Sequence, residues 1–259
     1  MARRGIGSYS RTRNEPDRQT MNACEIVSFD LDGTLIDSAG EIVAAANAAL
    51  ADCGIAERPT DEIVRLIGHG GRALMIALLA RALLERPQLA DRVRADDVIA
   101  GYEAHYDRRI GSASRAYPGA RQVLVELRRM GVRTACVSNK ERRLAERVLQ
   151  AHGLDAHLDL LVGGDSLPHK KPHPSVLRHV AQVLGGDTRR MAHVGDSGID
   201  VQAARAAGVA AWAVSYGYSG GVPIEDALPH RLFHDLGEVA LHVRSLRTHS
   251  SFTLLETTS

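Results

Sequence analysis

The chain has 259 residues, 44% apolar and 24% charged, with a formal net charge of +1. That length allows one large domain or two modest ones with a real core, and the charge balance argues against a dedicated nucleic-acid surface or a membrane-surface binder. No apolar run reaches the roughly 18–20 residues that a membrane span needs. Cys24, Cys53 and Cys136 are widely spaced and form no Cys-x-x-Cys pair. They read as reduced, buried thiols of a cytoplasmic protein and not as a zinc site.

Residues 1–21 carry Arg3, Arg4, Arg11, Arg13 and Arg18 and show no apolar periodicity. They read as a disordered basic arm, or as a start placed ahead of Met21, and they lack the apolar core of a secretory signal. Glu25–Phe29 is a short, β-branched apolar run that predicts a buried strand ending at Asp30. Helical spacing then appears at 42–52, 62–67, 72–85 and 95–110. Gly54 is placed to stop the first of these helices and Thr60 to cap the second, with Asp61 and Glu62 in its first turn. No strand is predicted in this stretch, and roughly 80 residues exceed any ordinary loop. It reads as a helical cap, 39–116, inserted after the first strand.

From Tyr117-Pro118-Gly119 onward strand and helix alternate. Helices are predicted at 120–130, 141–152, 174–184 and 199–207. Strands are predicted at 132–137, 158–162, 191–194, 209–214 and 231–233. This alternation predicts an α/β fold, a Rossmann-like core over 22–38 and 117–245 whose parallel sheet is covered on both faces. Residues 246–259 read as a loose tail.

Ligands of such sheets bind at the carboxyl ends of the strands. The residues predicted there are Asp30 and Asp32, Ser138 and Asn139, Lys171, and Asp196 with Asp200 one helical turn later. Carboxylates converging without a counter-charge are strongly unfavourable. A hard cation with oxygen ligands resolves this, and Mg²⁺ suits a site with few carboxylates and several waters. A lysine, a hydroxyl and an amide beside it would satisfy a phosphoryl group, pointing to phosphoryl transfer on a small-molecule phosphate ester.

Four segments, FDLDGTLIDS (29–38), VSNK (137–140), KKPHP (170–174) and VGDSGID (194–200), resemble in order the four motifs of the haloacid dehalogenase (HAD) superfamily. The helical insert is similar to that superfamily's helical cap. The resemblance implies Asp30 as nucleophile and Asp32 as general acid/base. It implies Mg²⁺ held by Asp30, Asp196 and the backbone carbonyl of Asp32, with Asp200 in support. Ser138, the Asn139 amide and Lys171 would hold the phosphate. Lys171 is chosen over Lys170 because it directly precedes Pro172. Aspartate at position 32 separates this chain from the superfamily's ion pumps and from its haloacid-cleaving members. The segments at 159–177 and 193–221 resemble the bacterial phosphoglycolate phosphatases, which implies 2-phosphoglycolate as substrate.

The remaining assignments are plainer. His69 and Arg72, at a glycine-rich cap junction, are candidate readers of the substrate carboxylate. Asp37 reads as hinge support, Lys170 as a solvated neighbour, and Tyr216, Tyr218 and Trp212 as packing. The twelve histidines form no metal-ligand pair. Rival readings are a HAD phosphatase for a sugar phosphate or nucleotide, a β-phosphoglucomutase-like enzyme, and a non-catalytic protein that keeps the fold. Either a monomer or a homodimer is compatible with the sequence, and no nucleic-acid or membrane partner is expected.

Overall fold

The computed structural model describes residues 24–256, with side chains to Thr248. The first apolar run forms Ile26–Phe29 (β1), all four residues buried. After Ile36–Asp37 (β2) come four helices, Ala39–Asp52 (α1), Thr60–Val64 (α2), Gly71–Glu85 (α3) and Ala95–Asp107 (α4). The chain returns through Arg115–Ala116 (β3). It then alternates through Ala120–Arg129 (α5), Arg133–Val137 (β4), Arg142–Ala151 (α6), Leu160–Val162 (β5), Ser175–Val183 (α7) and Met191–Gly195 (β6). Gly198–Ala207 (α8), Ala210–Val214 (β7), Arg231–Phe233 (β8) and Leu236–Glu256 (α9) complete it.

Six strands form one parallel sheet in the order β5-β4-β1-β6-β7-β8. Parallel strands must be covered on both sides, so their residues are apolar nearly throughout. One face sets Val27, Phe29, Cys136, Val194 and Trp212 against α5, α6 and α9. The other sets Ile26, Val137, Met191 and Ala213 against Val176, Leu177 and Val180 of α7 and Val201 of α8. The α5 helix buries Ala120, Val123, Leu124 and Leu127, a spacing of three and four. Each fully buried Val or Leu contributes about 1.5–3 kcal/mol.

The inserted helices form the cap, with α4 packed against both α1 and α3. Its two connections to the core pair as an antiparallel ribbon, Ile36 opposite Ala116 and Asp37 opposite Arg115. The sequence reading found no strand there, because two residues are too few to show a period. The buried Glu41 carboxylate pins the return segment. It accepts from the Ala113 and Ser114 amides at 3.0 and 2.9 Å and from the Ser114 hydroxyl at 2.9 Å.

Some local expectations need correction. Pro59 precedes the first residue of α2, so Thr60 lies inside that helix and does not cap it. The stretch read as a loose tail from 246 continues α9 as far as Glu256. Val239, Ala240 and Val243 fix the first half of that helix on the core, and the later turns propagate from it. The basic arm at 1–21 lies outside the described residues. All three cysteines are unpaired, and Cys53 is only half-buried. Among the described residues no helix is long and apolar enough to cross a membrane.

Candidate active site

β1 and β6 are neighbours; the chain after β1 leads to α5 on one face and the chain after β6 to α8 on the other, and this divergence opens a crevice at their carboxyl ends. Asp30, Ser138 and Asp196 are the residues immediately past the ends of β1, β4 and β6. Lys171 comes from the segment between β5 and α7, and Asp200 from the first turn of α8. These five and Asn139 are all buried. One carboxylate oxygen from each of Asp30, Asp196 and Asp200 lies within 4.8 Å of the other two.

One ammonium serves two of these three acids directly. Lys171 Nζ is 2.9 Å from Asp30 Oδ1 and 2.7 Å from Asp200 Oδ1. Burial works against its charge, yet Asp200 and Asp30 hold its pKa above the ordinary lysine value. Burial, with Asp200 and Asp196 nearby, pushes Asp30 up to about 8 despite Lys171. Burial and then the Asp200 charge raise Asp196 to about 7. Burial opposes the Asp200 charge as well, but Lys171 and a hydrogen bond from His193 outweigh it and hold that group below the usual carboxylate range.

Hydrogen bonds divide the acids further. Asp200 Oδ2 accepts from the Ser197 amide and hydroxyl at 3.2 and 2.5 Å, which caps α8. Its Oδ1 accepts from Lys171 and from His193 Nε2, 3.1 Å away. All of its usual acceptor positions are thereby used. Asp196 accepts from the Thr34 hydroxyl at 3.1 Å and the Tyr218 amide at 2.7 Å. Asp30 accepts from the Leu31 amide at 2.7 Å, also on Oδ1. Gly33 permits this closeness. Its φ is +88°, and a Cβ there would meet Asp196 Oδ2 at 2.3 Å.

The residues fit a hard divalent cation. The donors are all oxygen, and three buried carboxylates stand together while the one lysine ammonium among them contacts only two. Asp30 and Asp196 have acceptor capacity to spare, whereas Asp200 is occupied by Lys171, His193 and Ser197. The Asp32 carboxylate stands outside this cluster. It accepts from the Ser38 hydroxyl at 2.5 Å and from Lys140 Nζ at 2.6 Å.

Lys140 is the residue that sequence reasoning missed. It is buried, and its ammonium also lies 2.6 Å from the hydroxyl of Tyr106 in the cap and over that ring at 4.4 Å. The available signal was its place directly after Ser138-Asn139, at the same strand end as the predicted site. Lys170 is also more than a solvated neighbour. Its Nζ donates to the His69 carbonyl at 2.6 Å, while Asn139 Nδ2 donates to the Gly68 carbonyl at 2.9 Å. The cap loop packs backbone to backbone on the core here. Gly70 has φ +89°, and a Cβ on it would meet the Asn139 carbonyl at 2.5 Å.

Cap and core line a partly open chamber, walled on the cap side by Ile42, Ile67, Leu74 and Tyr102. Lys140 is the cationic side chain among its lining residues. Neither His69 nor Arg72 lines it. Arg72 is exposed and lies 3.4 Å from Asp96. It sits at the edge of the buried stripe of α3, beside Met75 and Leu79 in helical phase. His69 instead lines a wider, separate cavity of about 800 Å³ alongside α8.

Two tyrosines read as packing tie the hinge to the site. The Tyr216 hydroxyl donates to the Thr34 carbonyl at 2.9 Å. The Tyr218 hydroxyl accepts from the amides of Ser38 and Ala39 at 2.7 and 2.9 Å and donates to Asp37 Oδ1 at 2.8 Å.

A family model for haloacid dehalogenase-like hydrolases matches residues 24–208. The chain belongs to that family. This hydrolase is 45% identical over 197 residues to a plasmid-encoded phosphoglycolate phosphatase of Cupriavidus necator, covering 76% of this chain and 83% of that protein. It is 32% identical over 215 residues to a phosphoglycolate phosphatase of Haemophilus influenzae, covering 83% and 96%. Its fold is similar to a crystal structure of a predicted phosphoglycolate phosphatase from Haemophilus somnus, with TM-score 0.77, 29% identity and coverage of 83% and 96%.

Proposed function

We propose that this HAD hydrolase is a Mg²⁺-dependent phosphatase that hydrolyses 2-phosphoglycolate to glycolate and phosphate through an aspartyl phosphate on Asp30. The names of its relatives support the substrate, but one observation on this chain carries the reading. Lys140 is the cationic side chain that lines the chamber beside Asp30 and Asp32, at the place the leaving group would occupy. The cap offers it apolar side chains and glycine backbone, and Lys140 offers charge. Lys140 uses two of its three donors on Asp32 and Tyr106, and the third can meet a carboxylate.

In the first half-reaction the Asp30 carboxylate attacks phosphorus while the bond from phosphorus to the glycolate oxygen breaks. Asp32 gives its proton to the leaving alkoxide. In the second, Asp32 takes a proton from a water whose oxygen attacks phosphorus. The bond between phosphorus and Asp30 breaks, and phosphate leaves. Ser138, the Asn139 amide and Lys171 hold the phosphoryl oxygens throughout. Mg²⁺, held by Asp30, Asp196 and the Asp32 carbonyl, supplies charge neutralisation for the phosphoryl group when bound. Asp200 positions Lys171.

The test is kcat/KM over a panel of small phosphomonoesters with Mg²⁺. We expect 2-phosphoglycolate to lead by tenfold or more, about 1.4 kcal/mol of transition-state preference. Another ester in the lead would remove the substrate assignment and keep the chemistry. Full activity of the Asp30→Asn protein would remove the mechanism.

A further inference from the structure

A buried chain of hydrogen bonds runs behind the site and ends at a residue that the mechanism above does not use. In the sheet register Ser28 of β1 lies opposite His193 of β6. Both side chains are fully buried. Both belong to the face covered by α7 and α8, since Ile26 and Met191 pack there from the alternate positions. Ser28 Oγ is 2.8 Å from His193 Nδ1, and His193 Nε2 is 3.1 Å from Asp200 Oδ1. That same oxygen accepts from Lys171, which reaches on to Asp30.

The partners settle which ring nitrogen carries the proton. An ionised carboxylate can only accept, so Nε2 is the donor to Asp200. Nδ1 is then the acceptor and receives the Ser28 hydroxyl. The other acceptor near that hydroxyl, the Ala192 carbonyl, is farther away at 3.4 Å.

We propose that His193 is a positioning residue, one that keeps Lys171 shared between Asp200 and Asp30. Asp200 Oδ1 has two donors, and each relieves part of its demand for positive charge. Without the imidazole, Lys171 alone would have to satisfy that oxygen. The ammonium would be drawn toward Asp200, away from Asp30 and from the phosphoryl oxygens it is to neutralise. Ser28 acts one step further back by fixing the tautomer and the ring plane, the usual task of a second layer behind a charged site.

This inference rests on Asp30 as the nucleophile, so its test has one readout in activity and one in binding. The full chain is assayed with Mg²⁺ and p-nitrophenyl phosphate, and inorganic phosphate binding is titrated by calorimetry. His193→Leu removes the donor, and His193→Gln returns an N–H near the position of Nε2. We expect the leucine variant to lose kcat by about 10–100-fold and to bind phosphate more weakly. The glutamine variant should recover most of both. Wild-type behaviour of the leucine variant overturns the proposal, as does an equal loss in both variants, which would mark a packing role. Should His193→Leu not fold, Ser28→Ala decides. A severalfold loss of kcat supports the relay, and no change overturns it. If the wild type hydrolyses no phosphomonoester, the phosphatase reading fails, and phosphate affinity across the same variants still decides this one.

Discussion

The Lys140 ammonium stands 2.6 Å from the Asp32 carboxylate, at the boundary where Tyr106 of the cap closes on the core. The group proposed to shuttle protons and the cation proposed to meet the leaving group's carboxylate therefore touch. Lys140→Met should lower kcat/KM for 2-phosphoglycolate by roughly 10–100-fold, the scale of a lost hydrogen bond to a charged group. For an ester with a neutral leaving group the loss should be smaller. Steady-state kinetics on both substrates checks this, and an equal loss would reduce Lys140 to a partner of Asp32 alone.

The cap residues outside the chamber provide a control. Arg72 is exposed beside Asp96, and His69 faces the cavity along α8. Arg72→Ala and His69→Ala should each leave kcat/KM within about twofold of wild type, as surface substitutions do. A large rise in KM for the Arg72 variant would mean that the cap rearranges to bring the guanidinium into the site.

The acid cluster predicts how stability depends on pH. Burial raises Asp30 and Asp196 from 3.8 to about 8 and about 7. A raised acid favours folding in its protonated form. Its contribution is complete below the unfolded value and is lost as pH rises through the folded one. Metal-free protein should therefore lose thermal stability between about pH 4 and pH 8. Asp200, lowered in the fold, loses its contribution only in acid, below this window. Mg²⁺ binds the ionised forms, so the gap in Tm between Mg²⁺-loaded and metal-free protein should widen over the same range. A gap independent of pH would argue that these acids do not hold the ion.

Tyr218 joins three backbone or carboxylate groups of the hinge through one hydroxyl. Tyr218→Phe leaves the Ser38 and Ala39 amides without that acceptor and should destabilise the protein by about 1–3 kcal/mol. Urea denaturation measures this directly. An unchanged midpoint would show that water replaces the hydroxyl at no cost.

The α/β alternation, the helical insert and the residues at the strand ends were legible in the sequence, because each rests on a local signal. Apolar runs mark buried parallel strands, helical spacing marks the cap, and Asp30, Ser138 and Asp196 sit where such runs stop. The sheet edge then collects them for a topological reason that needs no coordinates. The direction of each side chain was not legible. Lys140 follows Asn139 by one position, yet only the packing of α4 against the core gives it Asp32 and Tyr106 together. Arg72 follows the glycine loop and looks equally well placed, but its side chain is exposed beside Asp96 and does not line the chamber. His193 reads as one more apolar-strand residue until the register with β1 and the approach of α8 give it Ser28 on one side and Asp200 on the other. Local pattern determined which elements form and where they end. Long-range packing decided which side chains meet, since contact across more than a hundred residues of chain depends on register and helix rotation that no short stretch encodes.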